Sequence, residues 1–158
     1  MTQPSPLDDL TPESALRNAR LIWAGLTVGV IVPVVVLTVV SLQSTREPTG
    51  MDWFFSGIPA AMLPVAALIG YILRQQTHKA NWNDDAVTPG GYVTGLVLQL
   101  APIEGVTVIA AVFMVIGAPV AFNLPIIGVA LGLMAINFPN GRAMLPPDDR
   151  DRIGNFDA

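Results

Sequence analysis

Cysteine is absent from the 158 residues, which removes disulfide frameworks, thiolate metal sites and catalytic thiols in one step. Charge is scarce as well. Lys and Arg number 8 and Asp and Glu 12, so charged residues make up 13% of the chain, where a soluble domain carries about a quarter. A surface that poor in charge does not suit an ordinary soluble enzyme. The basic residues are scattered singly and the net charge is −4, which argues against both a nucleic-acid footprint and a patch for anionic lipid. There is one histidine, His78, in the stretch 74–91, which reads as a polar cytoplasmic loop, and no His, Asp or Lys accompanies a carboxyl inside the apolar runs. Acid and base pairs, nucleophile relays and His/carboxylate metal sites therefore lack candidates, so neither an enzyme nor a cofactor is expected.

What the chain does have is length of apolar run. About 20 apolar residues cross a hydrocarbon core about 30 Å thick, and four stretches qualify: 21–42, 54–73, 92–116 and 120–138. Of the 20 charged residues, 19 fall outside them. Backbone groups in lipid must be satisfied within the segment, so runs of this length predict α-helices rather than the short alternating strands of a barrel. A soluble bundle would show polar residues at helical spacing along each helix. The run VGVIVPVVVLTVV, residues 28–40, has no such stripe. The expectation is an all-α, polytopic membrane protein of four transmembrane helices arranged as two hairpins, the second closed tightly by Gly117, Ala118 and Pro119.

Basic residues near the span ends set the expected orientation. With the N-terminus in the cytoplasm, Arg17, Arg20, Arg74, Lys79, Arg142, Arg150 and Arg152 fall on the inner side and only Arg46 on the outer. Both termini are therefore expected inside, in a multi-pass protein of the cell (inner) membrane. Trp23, Tyr71 and Tyr92 then lie at the inner interface and Trp53 at the outer, where rings carrying a polar atom prefer to be. The acidic N-terminus lacks the basic start of a secretory signal, so the first run reads as an uncleaved anchor. Residues 1–20 form the cytoplasmic N-terminal segment, in which Thr11 as cap and Pro12 at the first helical position open a short juxtamembrane helix. Residues 21–138 form the transmembrane domain. Residues 139–158, rich in Pro and charge, read as a disordered cytoplasmic tail.

One ionisable side chain remains inside a span. Glu104 lies 12 residues from either end of the third run, 92–116, and insertion scales charge a mid-membrane carboxyl about 2.5 to 3.5 kcal/mol, so such a residue marks a functional pathway by default. A carboxyl there can bind and release a proton or hold a small cation. Alternatively, it serves as a neutral hydrogen bond that holds helices together. Pro102 removes a backbone donor beside it and favours a kink. Gly105 admits a close backbone, and Thr107, three residues on, shares its face and has a hydroxyl to donate. Gly25 with Gly29, and Gly128 with Gly132, form GxxxG pairs suited to helix packing. Asn123 and Asn137, at opposite ends of the fourth run, read as interface polar groups.

The stretch LAPIEGVTVIAAVFMVIG, residues 100–117, resembles the ion-carrying helix of rotary ATPase proteolipids (subunit c), in which a mid-membrane carboxyl lies among small residues on a helical hairpin. It also resembles small four-span bacterial membrane proteins with a mid-span Glu-Gly pair. The resemblance implies that Glu104 is the ion-binding residue, with Pro102, Gly105 and Thr107 shaping its site. The expected partners are the lipid bilayer and either further copies of the chain or the other subunits of a membrane complex, with no nucleic acid. The alternative is a non-catalytic structural or assembly subunit.

Overall fold

A computed structural model describes residues 10–43, 50–83 and 85–146 of the chain, with the side chains of residues 51 and 52 outside the description. Helix α1 spans Pro12–Gln43, α2 Gly50–Ala80, α3 Pro89–Val115 and α4 Val120–Ile136. Between α2 and α3 a two-residue hairpin pairs β1 (Trp82–Asn83) with β2 (Ala86–Val87) in antiparallel register. A 3-10 turn, Arg142–Met144, follows α4. The fold is all-α, and three of its helices are long and apolar enough to cross a membrane, as an integral membrane protein requires. The fourth, α4, has 17 residues, about 26 Å at 1.5 Å per residue.

The helix starts follow local chemistry. At α1 the Thr11 hydroxyl accepts from the Ser14 N–H at 3.3 Å, satisfying one of the orphan donors of a helix N-terminus. The helix then runs unbroken from Pro12 through the Val-rich stretch. At α3, Thr88 caps Gly91 and Pro89 occupies the first helical position. The link between α3 and α4 needs Gly117, whose φ of 121° lies where residues with a Cβ are strained.

Helix α3 is the core of the bundle. Tyr92, Leu96, Leu100, Ile103, Thr107, Ala110, Ala111 and Met114 are buried along it, recurring every three to four residues, and α1, α2 and α4 pack around it. At the α2/α3 crossing the backbones nearly touch: a Cβ on Gly70 would stand 2.5 Å from the Gln99 carbonyl oxygen. Helix α4 returns to the level at which α1 begins. There the Trp23 indole N–H donates to the Met134 carbonyl at 2.9 Å, Phe138 meets the Trp23 ring edge-on, and the Arg20 guanidinium lies 5.6 Å above the Phe138 ring. At the other end of the bundle Trp53 meets Phe122 and Asn123 donates to the Ser56 hydroxyl at 2.9 Å.

Two sequence expectations need correction. The polar connection 74–91 is not a loop throughout, because α2 continues to Ala80; Arg74 and His78 face partners on α3 and at the end of α4, which holds the helix beyond the apolar run. The expected disordered tail is packed in its first part. Met144 is buried against the core, and the Gly141 N–H donates to the Tyr92 hydroxyl at 3.1 Å, enabled by the φ of 73° at Gly141. The remainder of the tail and residues 1–9 lie outside the described residues.

Candidate functional site

Glu104 projects from the middle of α3 and is half-buried. Its carboxyl rests on α1, with Oε1 3.6 Å from where a Cβ on Gly29 would stand. A Cβ there would make no more than an ordinary van der Waals contact with the carboxyl. Among the described residues no hydrogen-bond donor reaches the carboxyl. Thr107, expected to donate to it, does not: its hydroxyl is fully buried and donates to the Ile103 carbonyl at 2.7 Å, the back-bond available to a Thr in a helix. Pro102 lies within α3, two residues before Glu104. Gly105 is exposed, and a Cβ there would meet nothing within 4 Å, so no backbone of this chain uses the space.

The other glycines divide in the same way. Of the two GxxxG pairs, Gly29 alone has a neighbour, the Glu104 carboxyl; Cβ atoms at Gly25, Gly128 and Gly132 would meet nothing within 4 Å. The close approaches within the chain fall instead at Gly70 and at Gly91 and Gly95, themselves a GxxxG pair that the sequence reading passed over. Gly91 is closed by the Asn81 side chain, and a Cβ on Gly95 would stand 2.9 Å from the His78 imidazole.

A second polar cluster lies toward the end of the bundle that holds Tyr92. The Arg74 guanidinium donates to the Gln99 side-chain oxygen and, at 3.4 Å, to that of Asn137. The Gln99 amide donates to the same Asn137 oxygen at 2.8 Å, so α2, α3 and the end of α4 are joined through three side chains. His78, one turn beyond Arg74, stacks on the Tyr92 ring at 6.2 Å, and its Nε2 is buried without a hydrogen-bond partner. Burial, and after it the neighbouring Arg74 charge, hold this imidazole below its ordinary pKa of 6.5.

Sequence reasoning missed this cluster because it placed Arg74 and His78 in a loop. The available signal was Gln99, an amide inside an otherwise apolar run, which in a membrane helix ordinarily seeks a partner on another helix. Asn123 and Asn137 both make side-chain bonds to other helices or their neighbours.

Chemically, Glu104 offers two carboxyl oxygens, with no companion ligand side chain among the described residues. The described residues contain no group of three His, Cys, Asp or Glu side chains able to hold a metal ion. No protein-family model, curated protein or solved structure matches the chain.

Proposed function

We propose that this chain is a multi-pass protein of the cell (inner) membrane, crossing it four times with both termini in the cytoplasm, and that Glu104 binds and releases a proton or a small cation within the bilayer. The observation that carries the reading is a half-buried carboxyl, midway along a helix long enough to span, which no donor among the described residues satisfies. A carboxyl retained only as structural glue would be expected to have its partner in place, since an ionisable group in hydrocarbon is costly to leave unpaired. The function is non-enzymatic, exercised within a homo-oligomer or a larger membrane complex.

Ion flux into proteoliposomes, under an imposed pH or sodium gradient, tests it. Glu104→Gln is expected to abolish the flux of the parent protein while helicity and oligomer size persist. A flux unchanged by the substitution overturns the reading.

A second reading, a structural or assembly subunit, is favoured by the glycines open to the outside of the bundle. Gly25, Gly128 and Gly132 give up helix propensity with no neighbour inside the chain to profit from it, as contacts with another chain would require. Absence of flux in the parent, together with collapse of the assembly on Glu104→Gln, supports that reading instead.

A further inference from the structure

We infer that the backbone carbonyl of Gly29 is the second half of the Glu104 site: when protonated, Glu104 donates its carboxyl hydrogen to that oxygen and latches α1 to α3, and on losing the proton it releases them. The inference rests on the reading of Glu104 above, taken for the proton.

In an α-helix each carbonyl accepts from the N–H four residues further on. For Gly29 that residue is Pro33, inside α1, which has no N–H to give. The Gly29 carbonyl has thus lost its ordinary donor, and Gly29 has no side chain to cover it. Against this same residue lies the Glu104 carboxyl, 3.6 Å from the glycine's Cβ position and without a donor among the described residues. An acceptor without its helical donor and a carboxyl without a donor among the described residues thus belong to two residues that face each other across α1 and α3. Protonation makes them complementary, because the acid then has one O–H to donate. Pro102 frees the Leu98 carbonyl in the same way, but Leu98 lies six residues before Glu104 on the same helix, about 120° around its axis, and faces elsewhere.

No bond other than the hydrogen bond forms or breaks in this step. The proton comes from water to one carboxylate oxygen and returns to water when the latch opens, leaving two electron-rich oxygens opposed. Among the described residues the other charged and titratable groups stand apart. On α1 these are Glu13, Arg17 and Arg20, the last of them nine residues before Gly29, about 13 Å along the axis. On α3 there is only Tyr92, turned to Gly141. On α2, Arg74 is held on Gln99 and Asn137, His78 on Tyr92 and Gly95, Tyr71 accepts from Gln75, Lys79 is exposed, and Asp52 is at the opposite end of the helix. Helix α4 contains no titratable residue.

Because the chain has no cysteine, an introduced pair reports alone. Spin labels at Val36→Cys and Val112→Cys, exposed positions about two turns beyond Gly29 and Glu104, give the α1–α3 distance in lipid vesicles as pH is raised from acid to alkaline. In the labelled parent the distance is expected to lengthen by a few ångströms as pH rises. Glu104→Gln, whose amide still donates, is expected to hold the short distance at every pH. Pro33→Ala, which returns an N–H to the Gly29 carbonyl, is expected to remove most of the pH response; Pro33→Val supplies the same N–H and guards against a packing artefact. A parent distance indifferent to pH overturns the latch. A full response in both Pro33 variants, with Glu104→Gln locked, also overturns it yet leaves Glu104 as the proton-binding group. If Glu104→Gln responds as the parent does, Glu104 itself is excluded and the proposed function falls with the latch.

Discussion

Gly70 and Gly57 are both helical glycines in α2, and they obey opposite rules. A methyl on Gly70 meets the Gln99 backbone, at 2.5 Å from the carbonyl oxygen and 3.0 Å from Cα, and neither atom can swing aside as the end of a side chain would. Gly57 is exposed, and a methyl there meets nothing within 4 Å. Gly70→Ala is therefore expected to destabilise by about 1–3 kcal/mol through overpacking. Gly57→Ala is expected to be neutral or to stabilise by up to about 1 kcal/mol through helix propensity. Thermal unfolding of the detergent-solubilised protein checks both, and equal effects would refute the distinction. The two glycines look alike in the sequence, and so did those of the GxxxG pairs. What separates them is which residue stands across the gap, a long-range fact that spacing along one helix does not encode. Glu104, by contrast, was legible as an isolated charge. Its neighbour Gly29 was visible as a small residue, while the turning of Thr107 to Ile103 was open to a general rule about Thr in helices but not decided by it.

The apolar runs marked all four helices, since hydropathy over some 20 residues is a strong signal. Where the helices end was less visible. Helix α2 runs on through Arg74, Gln75, Gln76, Thr77, His78 and Lys79 because that extension is held by pairing with α3 and α4, and hydropathy records no pairing. The pH behaviour of this end follows from the burial of His78. Its imidazole titrates below 6.5 in the folded chain, so the neutral ring is the form the α2/α3 contact favours. The unfolded chain takes up the proton more readily. The stabilisation is accordingly complete above about pH 6.5 and is lost as pH falls from there toward the lowered folded value. His78→Gln is expected to flatten the fall in Tm between pH 7 and 5. The imidazole resonances of this one histidine are expected to titrate with a midpoint below 6.5; a midpoint at or above 6.5 would remove the basis for that expectation.

At the scale of the whole molecule the question is how many times the chain crosses. Three helices are long enough without doubt of length, and α4 has 17 residues. Counting matters because three crossings put the two ends of the chain on opposite sides of a bilayer and four put them on the same side. Within the bundle, the end of α4 meets the start of α1 through Trp23, Phe138 and Arg20, and the chain beyond it meets Leu16 and the start of α3 through Gly141. On the topology proposed above, a fourth crossing lets these contacts exist without dragging a polar segment back through lipid, where its backbone would be unsatisfied. On that same proposal the basic residues set the side, with seven of the eight expected in the cytoplasm. Single cysteines at the exposed positions Asn18, Lys79 and Asn140 are expected to resist a membrane-impermeant maleimide applied to intact cells, and a cysteine at Gln43 to react. Reaction at Asn140 with protection at Asn18 would mean that α4 does not cross. Reaction at Asn18, Lys79 and Asn140 together, with Gln43 protected, would keep the four crossings and invert them, leaving the charge bias as the element of the argument that failed.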